Sequence, residues 1–218
     1  MYYQLQTFLD LIAWSENTDL KNQGQGYNLL VNGISSEGTT KYTGKYNSYA
    51  KPNTLEKWEK TYIQGDINYN NHPNVYIKWK KGSADDINNF STAAGRYQIL
   101  AEVWKNLASR YNINDFTPSS QDKICIALIE RSFPFLKLYQ WENAINSVCK
   151  LFPSFPKAGY VGQSSYSMNQ LLNKISQYSQ LNKPLSPETI QFVIRIINKC
   201  RMLRVLNIIL NTKMAMKK

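Results

Sequence analysis

Apolar residues recur at Leu5, Phe8, Leu9 and Ile12, a spacing that predicts an amphipathic helix over about residues 3–16. Asn17-Thr18-Asp19 and the glycines at 24 and 26 break that pattern. A short apolar run, Tyr27–Val31, is closed by Asn32-Gly33, a hairpin signal. Residues 35–90 are rich in Ser, Thr, Asn, Lys, Tyr and Gly without helical period, which predicts hairpins and loops. Helical spacing returns after Gly95. Ile99, Leu100, Val103, Trp104 and Leu107 form one stripe, and Ile124, Cys125, Leu128 and Ile129 form the next. Between them, Thr117-Pro118 reads as a helix start with Thr as cap. Further helices are expected over residues 139–151 and around Met168, Leu171, Leu172 and Ile175, the two separated by a turn at Pro153 and Pro156. Strands gathered in one stretch and helices in another indicate an α+β fold.

Residues 181–218 differ from the rest. Ser186-Pro187-Glu188 starts a helix, Glu188 is the last acidic residue, and seven Lys/Arg follow it without gathering on one helical face. The simpler reading is a docking helix with a basic end; the sharper one is a weak electrostatic contact with membrane or wall polymer. Ile190–Leu210 is apolar enough to raise the question of a membrane span. Arg195, Lys199, Arg201 and Arg204 argue against it, at roughly 2.5–3.5 kcal/mol each near mid-bilayer.

The 218 residues suffice for one domain with an appendage, here read as residues 1–180 plus a basic helical extension at 181–218. A hydrophobic fraction of 43% predicts a packed core, and the net charge of +11 predicts attraction to polyanions without choosing among them. The 15 Tyr and 5 Trp suit sugar rings as well as bases. Cys125, Cys149 and Cys200 form no C-x-x-C pair and are read as reduced, which fits synthesis in a cytoplasm. A single histidine and no thiol cluster leave almost no ligands for a metal, and no cofactor is called for. His72, before Pro73 in a polar loop, reads as a satisfied surface or turn histidine rather than a catalytic base. The N-terminus has neither a positive leader nor a long apolar run, so no signal peptide is expected.

Glu16 lies four residues beyond Ile12, on the apolar face of the first helix and at its C-terminal end. Poor solvation and the negative pole of the helix both keep a carboxyl there protonated. A glycosidase needs such an acid to protonate a leaving-group oxygen. On pattern alone, a Glu that swings out to solvent where the helix ends fits somewhat better.

Four blocks change that balance. Leu11-Ile12-Ala13-Trp14-Ser15-Glu16-Asn17-Thr18-Asp19 with Gly26-Tyr27-Asn28, Ala94-Gly95-Arg96-Tyr97-Gln98-Ile99-Leu100, Asp115 to Asp122, and Pro156-Lys157-Ala158-Gly159-Tyr160 occur in that order. Together they resemble the bacteriophage lambda lysozyme family, over about residues 4–178. The resemblance implies a lysozyme-like fold, with a helical lobe and a small β-rich lobe flanking a cleft. It also implies an endolysin that acts on peptidoglycan glycan strands between N-acetylmuramic acid and N-acetylglucosamine. The implied reaction is that of a lytic transglycosylase: Glu16 protonates the glycosidic oxygen, then takes a proton from the C6 hydroxyl of the same muramic acid, which closes a 1,6-anhydro ring. The longer polar segment between Gly33 and His72, Asn68 where Asp is expected, and Val161 inside the Gly-Tyr-Gly-Gln run depart from the pattern.

By the same resemblance Tyr97 would form an aromatic wall of the cleft and Gln98 would offer amide hydrogen bonds to substrate, although packing between lobes suits Tyr97 equally. Tyr160 would hold a sugar, orient Glu16, or pack in the core. Asp19 completes the candidate substrate-binding set, with turn formation as its stronger role. Arg96 reads as a structural ion-pair donor, and Trp14 as packing against the second lobe. A hydrolytic muramidase is the nearest rival, with Asp19, Asp66, Asp85 or Asp86 as second carboxylate. A non-catalytic polyanion binder and a membrane-disrupting tail are the others. No nucleic-acid motif is present, so nucleic acid is not expected as a partner. The chain is expected to work as a monomer, made in the bacterial cytoplasm and reaching the wall through a membrane hole or by secretion.

Overall fold

The computed structural model describes residues 1–18, 26–30, 34–35, 49–50, 69–74, 76–78, 90–159, 165–181 and 184–199. Its centre is α1 (Tyr2–Ser15). The period at positions 5, 8, 9 and 12 marks one buried face, yet Gln4, Thr7, Leu11, Ala13 and Ser15 are buried as well. A helix buried on most sides belongs inside a helical assembly. Around it stand α3 (Pro118–Leu128), α4 (Phe133–Lys137) and α6 (Met168–Ser179), the last making the broadest contact. α2 (Ala101–Tyr111) and α5 (Trp141–Val148) complete this group, with short 3-10 turns at Glu130–Ser132 and Cys149–Leu151. The predicted helix over 139–151 is therefore α5 plus a 3-10 turn, because Val148 leaves the helical path (φ −124).

Local chemistry sets the helix ends. Pro118 occupies the first turn of α3, and the Thr117 side chain accepts from Ser120 N–H, as Thr117-Pro118 predicts. Asp115 Oδ1 accepts from the hydroxyls of Thr117 and Ser120 at 2.7 and 2.6 Å, and these donors hold its carboxyl below the usual carboxylate range. Ser167 and Gln170 form a reciprocal capping box at α6. Leu100, expected in the apolar stripe of α2, is instead its exposed N-cap residue.

Strands are short. β1 (Leu29–Leu30) pairs antiparallel with β2 (Ile34–Ser35), as the Asn32-Gly33 signal predicts; residues 31–33 lie outside the described set. β3 (Tyr49–Ala50), β4 (Tyr76–Lys78) and β5 (Phe90–Ser91) form an antiparallel sheet in the order β3-β4-β5. The described chain is thus mostly helical, and most of the expected β region falls among residues not described.

Residues 187–199 form a last helix, α7. Its Phe192, Val193 and Ile196, with Leu185 before it, are buried in the same core cluster as α1. Phe192 meets Tyr111 of α2 edge-on at 5.3 Å, and Lys199 lies over the same ring. The described half of the extension is a docked helix; its basic end beyond residue 199 is outside the described set. Among the described residues, no helix is long and apolar enough to cross a membrane. Cys125 and Cys149 are free thiols.

Candidate active site

The last turn of α1 is closed by a Schellman motif. Asn17 takes a left-handed conformation (φ 57), its N–H donates to Trp14 O at 3.0 Å, and Thr18 N–H donates to Ala13 O at 2.9 Å. Glu16 is thereby the C-cap residue, held at the negative pole of a buried helix. Its side chain does not swing free: Ser154 Oγ donates to Glu16 Oε1 at 2.6 Å. Desolvation pushes the Glu16 carboxyl above the ordinary carboxylate range, opposed by hydrogen bonds from the Ser154 hydroxyl and backbone N–H. The net upward direction favours the protonated form that a proton donor needs.

Thr18 links this helix end to the second motif. Its hydroxyl donates toward both Ala13 O and Arg96 O. Arg96 belongs to a turn, residues 95–98, closed by paired backbone bonds between Ala94 and Ile99 and joined to β1 through Gly95 N–H to Leu29 O at 2.7 Å. Gly95 has φ +76, and a Cβ on it would fall 2.1 Å from Gln121 Oε1. That oxygen accepts from Arg96 N–H at 3.0 Å, while Gln121 Nε2 donates to Phe116 O and Tyr27 O. Gly26 (φ +84) likewise lies against the Thr18 carbonyl, leaving no room for a side chain.

A model of the family described as Endolysin matches residues 6–180. The chain belongs to the endolysin family. It is 26% identical to the endolysin of Escherichia phage lambda over 179 residues, covering 80% of this chain and 90% of that one. It is 27% identical to the endolysin of Escherichia phage P2 over 175 residues, covering 78% and 90%. Its structure resembles bacteriophage lambda lysozyme complexed with a chitohexasaccharide, with TM-score 0.60, 26% identity, and coverage of 82% of this chain and 95% of that one. The fold is lysozyme-like, and this endolysin is a peptidoglycan-degrading enzyme of phage type.

Within the endolysin, the sequence candidates fare differently. Glu16 and the 95–98 turn are brought together through Thr18. Tyr97 is not a cleft wall. Its ring is 2% exposed, which leaves no face for a sugar, and its hydroxyl donates to Asp122 Oδ1 at 2.7 Å. Tyr27 donates to the same oxygen at 2.8 Å. Burial raises Asp122, and it raises both phenols well above their usual range. Gln98 is half-buried at φ 47, with its Nε2 turned back to Gly95 O at 3.0 Å. Asp19 and Tyr160 lie outside the described residues.

Arg96 is the expected ion-pair donor: its guanidinium meets Asp10 at 2.8 Å, both side chains largely buried. His72 is satisfied, as expected of a turn histidine, but buried rather than on the surface. One ring nitrogen bonds Ile99 O at 2.8 Å, the other accepts from Asn74 N–H, and the ring packs on Phe116 and Trp104. Burial lowers its pKa to about 4. Trp14 packs against Tyr166 at 4.3 Å, with Lys174 of α6 over its ring, so its partner is the helical side of the molecule. Ser154 and Gln121 were not singled out by sequence. A serine between two prolines and a glutamine inside a helix carry no local signal of roles that join residues 138 and 94 positions apart.

Proposed function

We propose that this endolysin is a peptidoglycan lytic transglycosylase, cleaving the β-1,4 bond between N-acetylmuramic acid and N-acetylglucosamine with Glu16 as its one acid and base. The observation that carries this reading is the desolvated, hydrogen-bonded Glu16 carboxyl at the end of α1. Protonated, it delivers its proton to the glycosidic oxygen as the bond to C1 breaks. As carboxylate it then accepts the C6 hydroxyl proton while that oxygen attacks C1. Product and enzyme balance without water, because the nucleophile is already part of the bound sugar.

The candidate second carboxylates of a hydrolase, Asp19, Asp66, Asp85 and Asp86, lie outside the described residues, and two described carboxylates are engaged elsewhere. Asp10 is paired with Arg96, and Asp122 takes two tyrosine hydroxyls. Glycan strands would lie in a groove between the strand-bearing segments and the helices, with Glu16 on its floor. The lambda lysozyme solved with a chitohexasaccharide supports a glycan as ligand.

Two measurements test the reading. Glu16→Gln should abolish clearing of purified walls while binding to them persists, and a variant that still clears walls removes Glu16 from the chemistry. Mass spectrometry of fragments released by the unmodified enzyme should show 1,6-anhydro ends. Reducing ends that have taken up water would instead establish the hydrolytic muramidase.

A further inference from the structure

Among the described residues, Ser154 contacts the Glu16 side chain from across the chain, and its geometry is more specific than packing requires. Ser154 sits in the turn after α5, buried, between Phe152 and the fully buried Phe155. The turn is fixed at both ends: Phe155 N–H donates to Phe152 O at 3.0 Å, and Ser154 O accepts from Tyr166 N–H at 2.9 Å. The Ser154 hydroxyl has a single proton and two acceptors in reach, Glu16 Oε1 at 2.6 Å and Ser15 Oγ at 3.0 Å. Ser15 has committed its own proton to Ile12 O at 2.8 Å, so towards Ser154 it can only accept.

We propose that Ser154 is a positioning residue for the acid: by donating to Oε1 it reserves the catalytic proton for Oε2, while Ser15 competes for the Ser154 hydroxyl. An oxygen that accepts a short O–H bond is the less basic of the two, so the acid's proton resides on the other. When Glu16 is ionised the Ser154 bond becomes charge-assisted and outweighs the longer contact to Ser15. When Glu16 is neutral the two acceptors are closer in strength. The carboxyl is thus supported in both states through which the proposed reaction carries it, and the inference rests on that proposed role of Glu16.

Few charged groups face this site among the described residues. From α3, the buried Cys125 thiol lies close enough to register the charge on Glu16. Arg96, from the 95–98 turn, is paired with Asp10 of α1. Lys174 of α6 is engaged over Trp14 and Tyr178, and Lys157, in the same turn as Ser154, is exposed.

The test is the pH profile of wall lysis by the full-length enzyme, read beside a 13C carboxyl titration of Glu16, assigned by its loss in Glu16→Gln. Ser154→Ala should lower kcat about tenfold or more and move the alkaline limb, with the Glu16 titration, upward by about one pH unit. Ser154→Thr, which keeps the hydroxyl, should restore both. Ser15→Ala removes the competitor and should move limb and titration the opposite way. A Ser154→Ala protein whose Glu16 titrates with the unmodified enzyme overturns the proposal, even if activity drops. So does a Ser15→Ala shift in the same direction as Ser154→Ala. The titration needs no turnover, so lysis surviving in Glu16→Gln would sink the parent reading separately.

Discussion

Two desolvated ionisable side chains, one half-buried and one buried, set opposite limits on stability. Glu16 has its carboxyl pKa raised by burial, so the folded state holds that proton more tightly than the unfolded state does. Its favourable contribution is complete below the ordinary value of 4.5 and is lost as pH rises through the elevated one. Glu16→Gln should therefore unfold at a higher temperature than the unmodified enzyme at pH 7. Calorimetry should show that gap closing as pH falls below about 4.5; a lower midpoint for the variant at pH 7 would contradict the burial account. His72 works in the other direction. Its pKa falls from 6.5 to about 4 on burial, so its contribution is complete above pH 6.5 and lost as pH drops towards 4. The size is up to about 3 kcal/mol. Urea midpoints of the unmodified protein should fall over that interval, and a His72→Phe variant should show a flatter profile there.

Among the elements, the 95–98 turn concentrates the most constraint in the fewest residues. It holds a left-handed glycine against Gln121, a buried ion pair from Arg96 to Asp10, and the Thr18 link to the end of α1. Gly95→Ala should cost about 2 kcal/mol or more in urea unfolding, since both φ and the Gln121 side chain must shift. It should also lower lysis, because the displaced Arg96 carbonyl is the partner of Thr18. Sequence periodicity located α1, α2, α3, α5 and α6, because each carries apolar residues at helical spacing. It did not locate α4, a five-residue helix with Pro134 in its first turn, too short to express a period. Nor could it show that α1 is buried on several faces, since Gln4, Thr7 and Ser15 are polar and only tertiary neighbours cover them. Tyr97 illustrates the same limit at the site. Its motif drew attention to the right turn, but the direction of the ring is set by Asp122, 25 residues away. The carboxyl of Glu16 was placed at a helix end by spacing alone, whereas Ser154 came to it only through the path of the whole chain.

At the scale of the whole molecule, the net charge of +11 and the C-terminal extension matter most. A net charge of +11 on a wall-degrading enzyme should make lysis salt-sensitive, and raising ionic strength from about 0.05 to 0.5 M should slow clearing of anionic walls. Unaltered rates across that range would assign the charge another purpose. α7 is held by apolar contact as well as by Lys199, so Phe192→Ala should cost about 3 kcal/mol, read from denaturant midpoints.

The family match stops at residue 180, yet the interior does not: Leu185, Phe192, Val193 and Ile196 share one core with the helix that ends in Glu16. Portability follows from that mismatch. A chimera joined at residue 180 to a shorter relative would leave the apolar side of α7 without the seat that Tyr111 and its neighbours provide, and would leave this chain's own first 180 residues with an open seam. The packed unit here is longer than the segment the family match covers, and joining chains at that apparent boundary should produce insoluble protein in both directions.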